Sequence, residues 1–358
     1  MYLSHSNHFK NGVSLYVIII LIFIIGCSKQ KDNSPKEVVV CSYGGSYQEA
    51  ERKAFFEPFE KETGIKVREA EWSGEYSKLK AMVESGTIVW DLVTVAEGST
   101  IARGISEGVF EPIDYKILDR NKYFVDAVTD YSVGIDFYST VLGYNSKDYA
   151  PGVKHPSSWA DFWDTKNYPG ARSLRNDPRT TLEFALLADG VSMDKIYPLD
   201  IDRAFNSLDR IKGSVKVWWT SGHQPAQLLA DREVKLVSAF NGRIWTAATK
   251  DSMPLNVDWN QGCLDLDSWV IVKGTKNYDA AMALIEFSSR PEVQIELTKY
   301  INYGPTNPEA YNHLSQSART VLPTSPENRP KQFVFNGKWW AQNESKVVER
   351  WNQWLLKR

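Results

Sequence analysis

The sequence predicts an α/β layered fold. Short apolar runs alternate with helical stretches over most of the chain, and glycines, prolines and polar turn residues punctuate them. Removing residues 1–26 from the 358 leaves 332, enough for a large core or two lobes. The repeated strand, helix, strand rhythm predicts mostly parallel strands.

Val38-Val39-Val40 reads as the first strand. It leads through Tyr43-Gly44-Gly45-Ser46-Tyr47 into a helix from about Gln48, with Ala50, Ala54, Phe55 and Phe59 near one face. Pro58 is expected to end or kink that helix, and Thr63-Gly64 to close it. Ile65-Lys66-Val67 is the next strand, Tyr76 to Val83 a helix, and Trp90 to Val95 a buried strand. The middle section opens at Val141-Leu142-Gly143-Tyr144-Asn145 and passes Trp159 to Trp163 and a Leu182–Ala188 helix. Strands follow at Val215-Lys216-Val217, Lys235-Leu236-Val237 and Trp269-Val270-Ile271-Val272, then a helix at Tyr278–Phe287. From Lys346 to Leu356, Val347, Val348, Trp351, Trp354 and Leu355 recur at helical spacing, a stripe read as packing.

The N-terminus carries an address. Leu15 to Ile25 is an unbroken apolar run preceded by Lys10, long enough for a signal-peptide core and too short for a membrane span of about 20 residues. Ile24-Ile25-Gly26-Cys27 resembles the bacterial lipobox, so Cys27 is expected to carry the lipid, with 27–36 as a polar tether. The expected product is exported and lipid-anchored to the cell envelope. An ordinary secretory leader is the alternative.

Composition then narrows the function. The mature part carries 41 basic against 44 acidic side chains, near −3, which argues against nucleic acid as a partner. His155, His223 and His313 are its histidines, and none has metal-ligand spacing with another, so neither metal nor cofactor is expected. Cys41 and Cys263 are expected as free buried thiols, with one disulfide as the alternative. No GxSxG, HExxH, P-loop or GxGxxG context is present. Gly44-Gly45 reads equally as an anion cradle or as a tight turn.

Carboxylates and aromatics at strand ends are more informative. Glu97 follows the buried strand, and Asp177 sits in Arg175-Asn176-Asp177-Pro178. Asp265 and Asp267 flank Leu266, so in an extended segment both point to one face. A carboxylate beside an aromatic wall suits an amine, through charge-assisted hydrogen bonds and about 0.5–2 kcal/mol of cation–π attraction. Each acid taken singly reads equally as a surface or helix-capping group.

Several stretches resemble a known family. Phe59 to Val67 and Trp90-Asp91-Leu92-Val93 are similar to the opening of bacterial ABC-importer solute-binding proteins. Ser157 to Trp163, Leu264 to Trp269, Ala280–Phe287 with Arg290-Pro291-Glu292-Val293, and Tyr303 to Pro308 resemble its spermidine/putrescine-binding branch. The resemblance implies the two-lobed type II periplasmic-binding-protein fold, with a ligand cleft between lobes of about 37–138 plus 266–312 and 139–265 plus 313–358. It also implies hinge closure on a small organic amine, delivery to a membrane permease, a monomer, and no catalysis. Within it, Asp267 matches the acid that grips an amine and Asp177 an acid on the second lobe. Tyr43, Ser46 and Tyr47 fall in the first ligand loop, Phe240 on an aromatic wall, and Tyr303 and Trp340 in late contacting segments.

The departures from the family pattern concern the ligand. Gly44-Gly45-Ser46, Thr180 and Asp265 stand where an acid, a Glu and a Trp are expected, which weakens the case for a long polyamine. Arg243, beside Phe240, either grips an anionic group on the ligand or pairs a structural acid. The leading reading is a polyamine-like cation, with an opine-like or amino-acid-derived zwitterion as the alternative. A rival class, an exported carbohydrate-active enzyme using Asp265 and Asp267 as acid and base, has two carboxylates closer than that chemistry usually takes from one segment. A second rival, a surface adhesin or structural lipoprotein, conflicts with the match to a cleft-forming family.

Overall fold

The computed structural model describes residues 37–96, 98–149 and 153–356. Residues 1–36, with the expected leader, tether and lipid-bearing Cys27, lie outside the described residues, as does Glu97. Among the described residues no helix is long and apolar enough to cross a membrane.

The chain begins with β1 (Glu37–Ser42) and turns at Gly44 into α1 (Gly45–Glu51). Pro58 does not end the helical run. The chain passes through a π turn at Arg52–Phe56 into α2 (Glu57–Thr63), with Pro58 in the first turn of α2. Widening just before the proline accommodates a residue that has no N–H to give. Gly64 at φ 72° then caps α2 in the left-handed conformation that favours glycine. Next come β2 (Lys66–Glu71), α3 (Tyr76–Ser85), β3 (Leu92–Ala96), α4 (Gly98–Glu107), the short β4 (Phe110–Glu111) and the 13-residue β5 (Val133–Asn145).

The following stretch contains α5 (Trp159–Trp163), β6 (Arg172–Arg175), α6 (Pro178–Ala188), α7 (Ile201–Ile211), β7 (Val215–Trp219), α8 (Gln224–Ala230), β8 (Leu236–Phe240) and α9 (Asn241–Thr249). Ala204, Phe205, Leu208 and Ile211 bury one stripe of α7 at helical spacing. The 18-residue β9 (Leu255–Val272) then leads to α10 (Tyr278–Ser288), α11 (Pro291–Thr298), β10 (Gly304–Pro305), α12 (Gln316–Arg319), β11 (Phe333–Val334) and α13 (Gly337–Leu356). The last helix therefore starts nine residues before the Lys346 expected from its apolar stripe.

The strands join in the order β2-β1-β3-β9-β5-β8-β6-β7. The expectation of mostly parallel strands holds at the flanks, where β1 pairs β2 and β3, and β6 pairs β7 and β8, and for the short β11 beside β9. In the middle, β9 is antiparallel to β3 and to β5, and β5 is antiparallel to β8. Flanking strands are linked by helices, which return the chain in the same direction. β5 and β9 instead traverse the sheet, so they meet their neighbours head to tail. In their register Asp136 lies opposite Asp267, and Tyr138 opposite Asp265.

Separate cores flank the crossing strands. One gathers Phe55, Phe59, Phe137, Trp269 and Ile285; another gathers Trp159, Phe162, Phe184, Leu208 and Trp351. Cys41 and Cys263 are buried, free thiols. Burial pushes the Cys41 thiol up to about 12, and raises that of Cys263 as well, so neither strand interior holds a reactive thiolate at neutral pH. Across the crossing strands α4 packs on α13 glycine to glycine: a Cβ on Gly337 would lie 2.2 Å from the carbonyl carbon of Gly98.

Candidate functional site

A cavity of about 280 Å³ collects side chains from both sides of the crossing strands. Tyr43 and Tyr47 come from the turn after β1, and Ala96 from the end of β3. Tyr138 and Asp267 come from β5 and β9, Phe240 and Arg243 from the β8–α9 junction, and Tyr303 from the segment after α11. The ends of β3 and β8 and the start of α9 thus meet at one place, where open α/β sheets gather ligands.

The turn that delivers the two tyrosines needs its glycines. Gly44 has φ 68°, and a Cβ there would lie 2.7 Å from a Glu71 carboxylate oxygen. Its amide goes to the Gln48 side chain at 3.0 Å, so Gly44-Gly45 makes a tight turn. Tyr43 is held by the Ala96 amide, which donates to its hydroxyl at 2.8 Å, and by stacking on Trp72 at 5.8 Å. On the opposite wall, Gly242 lets α9 approach the Tyr303 ring, where a Cβ would sit 2.6 Å from a ring carbon. Asn241 ties the start of that helix down, accepting from the Ser139 amide at 2.8 Å and donating to the Asn302 carbonyl at 2.6 Å.

The walls are aromatic. Tyr138 meets Phe240 edge to face at 5.7 Å and Tyr303 at 5.8 Å, and Tyr303 lies 6.3 Å from Tyr47. Asp267 is 5% exposed, an acid at the edge of this box. Behind it, the Tyr47 hydroxyl donates to Asp136 at 2.7 Å. Burial first, then the charges of Asp136 and Asp267, push the Tyr47 and Tyr303 phenols well above their usual range, so both stay protonated. Glu51, accepting from the Thr94 hydroxyl at 2.8 Å, is pushed up to about 8 chiefly by burial.

Arg243 supplies charge of the opposite sign. It is exposed in the first turn of α9, beside Gly222 and Phe240. The N-terminus of that helix has no side-chain cap. One cavity therefore offers a carboxylate, aromatic walls and a guanidinium.

Of the residues expected from sequence, Tyr43, Tyr47, Phe240, Arg243, Asp267 and Tyr303 line this cavity. Ser46 is exposed at the start of α1, next to it in sequence, and Glu97 is outside the described residues. Asp265 instead braces the backbone and a wall tyrosine, accepting from the Gly98 and Leu266 amides at 3.3 and 2.9 Å and from Tyr138 at 3.3 Å. A larger and more apolar cavity, about 400 Å³, lies on that side, between α4 and the start of α13, but it lacks the aromatic box.

Asp177 and Trp340 need correction. Asp177 caps α6 by accepting from the Arg179 amide at 2.8 Å, and it pairs with the guanidiniums of Arg179 and Arg175 at 2.7 and 3.5 Å. Burial would raise its carboxyl, but the two arginines outweigh that and hold it below its usual value. Its charge is already spent. Trp340 is fully buried in the second core, its indole donating to Glu183 at 2.7 Å and its ring stacked on Phe335. Tyr138, Asp136, Glu51 and Gly242 were not foreseen; the alternation of Asp136 and Tyr138, two apart like Asp265 and Asp267, was the available signal.

Crossing strands, flanking α/β halves and a polar, aromatic cavity between them define a two-lobed solute-binding protein. The chain belongs to the bacterial extracellular solute-binding protein family, whose model matches residues 54–323. It is 36% identical over 328 residues to the gamma-aminobutyric acid-binding protein of Pseudomonas aeruginosa, covering 90% of this chain and 92% of that one. It is 30% identical over 317 residues to the spermidine/putrescine-binding periplasmic protein of Escherichia coli, covering 84% and 86%. An ABC transporter substrate-binding protein from Bradyrhizobium japonicum USDA 110 superposes with a TM-score of 0.83 at 38% identity, covering 89% of this chain and 99% of that one. The fold is the two-lobed periplasmic-binding-protein fold, and the protein is a substrate-binding protein of the ABC-transport type.

Proposed function

We propose that this protein captures a small zwitterionic amine of the size of an ω-amino acid, such as γ-aminobutyrate, and delivers it to an ABC permease. The observation that carries the ligand class is that Asp267 and Arg243 both line one cavity of about 280 Å³. The ammonium end is held by Asp267 and the tyrosine faces. The carboxylate end is held by the Arg243 fork. The gamma-aminobutyric acid-binding relative supports this assignment.

A polyamine is the second reading, favoured by the spermidine/putrescine-binding relative and by the aromatic walls. Against it, Arg243 would face the second ammonium, and Asp177 is neutralised by Arg175 and Arg179.

Capture closes a hinge at β5 and β9 between lobes of about 37–138 plus 266–312 and 139–265 plus 313–358. The ligand touches side chains of both lobes, so it stabilises the closed form. The protein works as a monomer, without catalysis, held at the envelope by lipid on Cys27. Calorimetric titration with γ-aminobutyrate, putrescine and spermidine tests the ligand class. Saturable heat with γ-aminobutyrate and none with the polyamines supports the zwitterion. Saturation with polyamines alone overturns it and leaves the transport role standing.

A further inference from the structure

The wall that carries Arg243 is completed by a residue with no side chain. Gly222 lies half-buried in the loop between β7 and α8, and lines the cavity beside Phe240 and Arg243. The loop is short and tied down. The Thr220 and Ser221 amides both donate to the Gln224 side-chain carbonyl, at 2.8 and 3.0 Å, and the Gln224 amide donates to the Ser221 carbonyl at 3.0 Å. Ser221 and His223 share a side-chain hydrogen bond at 2.8 Å. Gly222 is thereby fixed in place against the wall.

Neither the backbone nor crowding requires glycine here. Gly222 is not among the residues with positive φ, so its conformation is not one reserved for glycine. A Cβ would lie 3.2 and 3.4 Å from two ring carbons of Phe240 and 3.8 Å from Nε of Arg243. The ring would have to yield slightly, and the guanidinium not at all. What the missing side chain leaves out is a functional group within reach of Arg243. That arginine pairs with no carboxylate among the described residues, so its planar fork is left for a ligand. A carboxylate carried on residue 222 would stand beside the fork. Being part of the chain, it would compete with a ligand carboxylate at an effective concentration on the order of millimolar or higher.

We infer that Gly222 is a specificity-determining residue that sets the charge class of the ligand. Without a side chain, it leaves Arg243 to an anionic group on the ligand; replaced by an acid, it turns the same cavity toward a diamine. The acid would neutralise Arg243 and remove the repulsion that a second ammonium meets there. The inference rests on the zwitterion reading of the site, which binding by the wild type tests separately.

The test is calorimetric titration of the wild type, Gly222→Asp and Gly222→Asn with γ-aminobutyrate and with putrescine, at neutral pH and one salt concentration. Asp and Asn match in size and differ in charge, so the pair separates electrostatics from crowding. Gly222→Asp should raise Kd for γ-aminobutyrate at least about tenfold above that of Gly222→Asn, the lower end of what a charge-assisted contact contributes. It should lower Kd for putrescine about fivefold or more relative to Gly222→Asn, the factor for relieving one like-charge contact in water. Circular dichroism establishes that the variants fold, and Gly222→Glu with Gly222→Gln repeats the comparison if the shorter pair does not. Equal γ-aminobutyrate affinities within a pair, or equal putrescine affinities, overturn the inference and leave the zwitterion reading standing. Wild-type protein with no saturable γ-aminobutyrate heat instead sinks that reading, and the inference with it.

Discussion

Replacing Arg243 by Ala should turn the ligand preference of this site around. Arg243 is exposed in the first turn of α9 and pairs with no carboxylate among the described residues, so its loss leaves no buried charge stranded. The fold should be unaffected. A charge-assisted contact to a ligand carboxylate contributes about 1.5–3 kcal/mol. At about 1.4 kcal/mol per decade, that is roughly a 10- to 150-fold rise in Kd for γ-aminobutyrate. Putrescine should bind as before or more tightly, because a positive charge facing its second ammonium has been removed. Arg243→Lys should fall between, keeping the charge and losing the planar fork. Calorimetry on the three proteins with both ligands, at one fixed salt concentration, reads this directly. An Arg243→Ala protein whose γ-aminobutyrate affinity is unchanged would refute the assignment of the carboxylate to this side chain.

Two further substitutions test the surroundings of the site. Glu51→Gln should change how stability depends on pH. The folded protein raises Glu51 to about 8 by burial, so the stability gained from its protonated form is fully present below the unfolded carboxyl range and is lost as pH rises through about 8. The variant should therefore gain on the wild type by at most about 1.4 kcal/mol per pH unit across that interval, and the two should converge near pH 4.5. Denaturant midpoints at acid, neutral and alkaline pH check this, and parallel curves would rule it out. Gly242→Ala places a methyl 2.6 Å from the Tyr303 ring. Overpacking of this kind costs about 1–3 kcal/mol, against about 1 kcal/mol gained from helix propensity. Ligand affinity should fall more clearly than melting temperature, and an unchanged Kd would show that the ring is free to move.

Much of this was legible in the sequence because local pattern and family stretches agreed. The β3 strand and the Gly64 cap follow from residue spacing alone. The crossing strands were hidden for a physical reason. Residues 133–145 are buried along almost their whole length, so the run carries Gly134, Asp136, Ser139 and Thr140 without the alternation that marks a half-exposed strand. Asp136 and Tyr138 went unread with it. Asp177 was visible as an acid, but Pro178 behind it and the arginines at 175 and 179 already spelled a capped, paired helix start. Trp340 was misplaced because the stripe that marks α13 becomes regular only about two turns after the helix begins.

The aromatic lining also governs what light can report. Thirteen tryptophans are distributed through the chain, and among the described residues none lines the cavity. Trp219 meets the wall residue Phe240 edge to face at 5.5 Å, with its indole N–H given to Ser238 at 3.2 Å. A ligand can therefore alter that emission only second-hand, by shifting Phe240, while the remaining indoles respond to movement of whole lobes. Phe240→Trp would set a fluorophore against the ligand itself, so that an optical trace would follow occupancy and not merely closure.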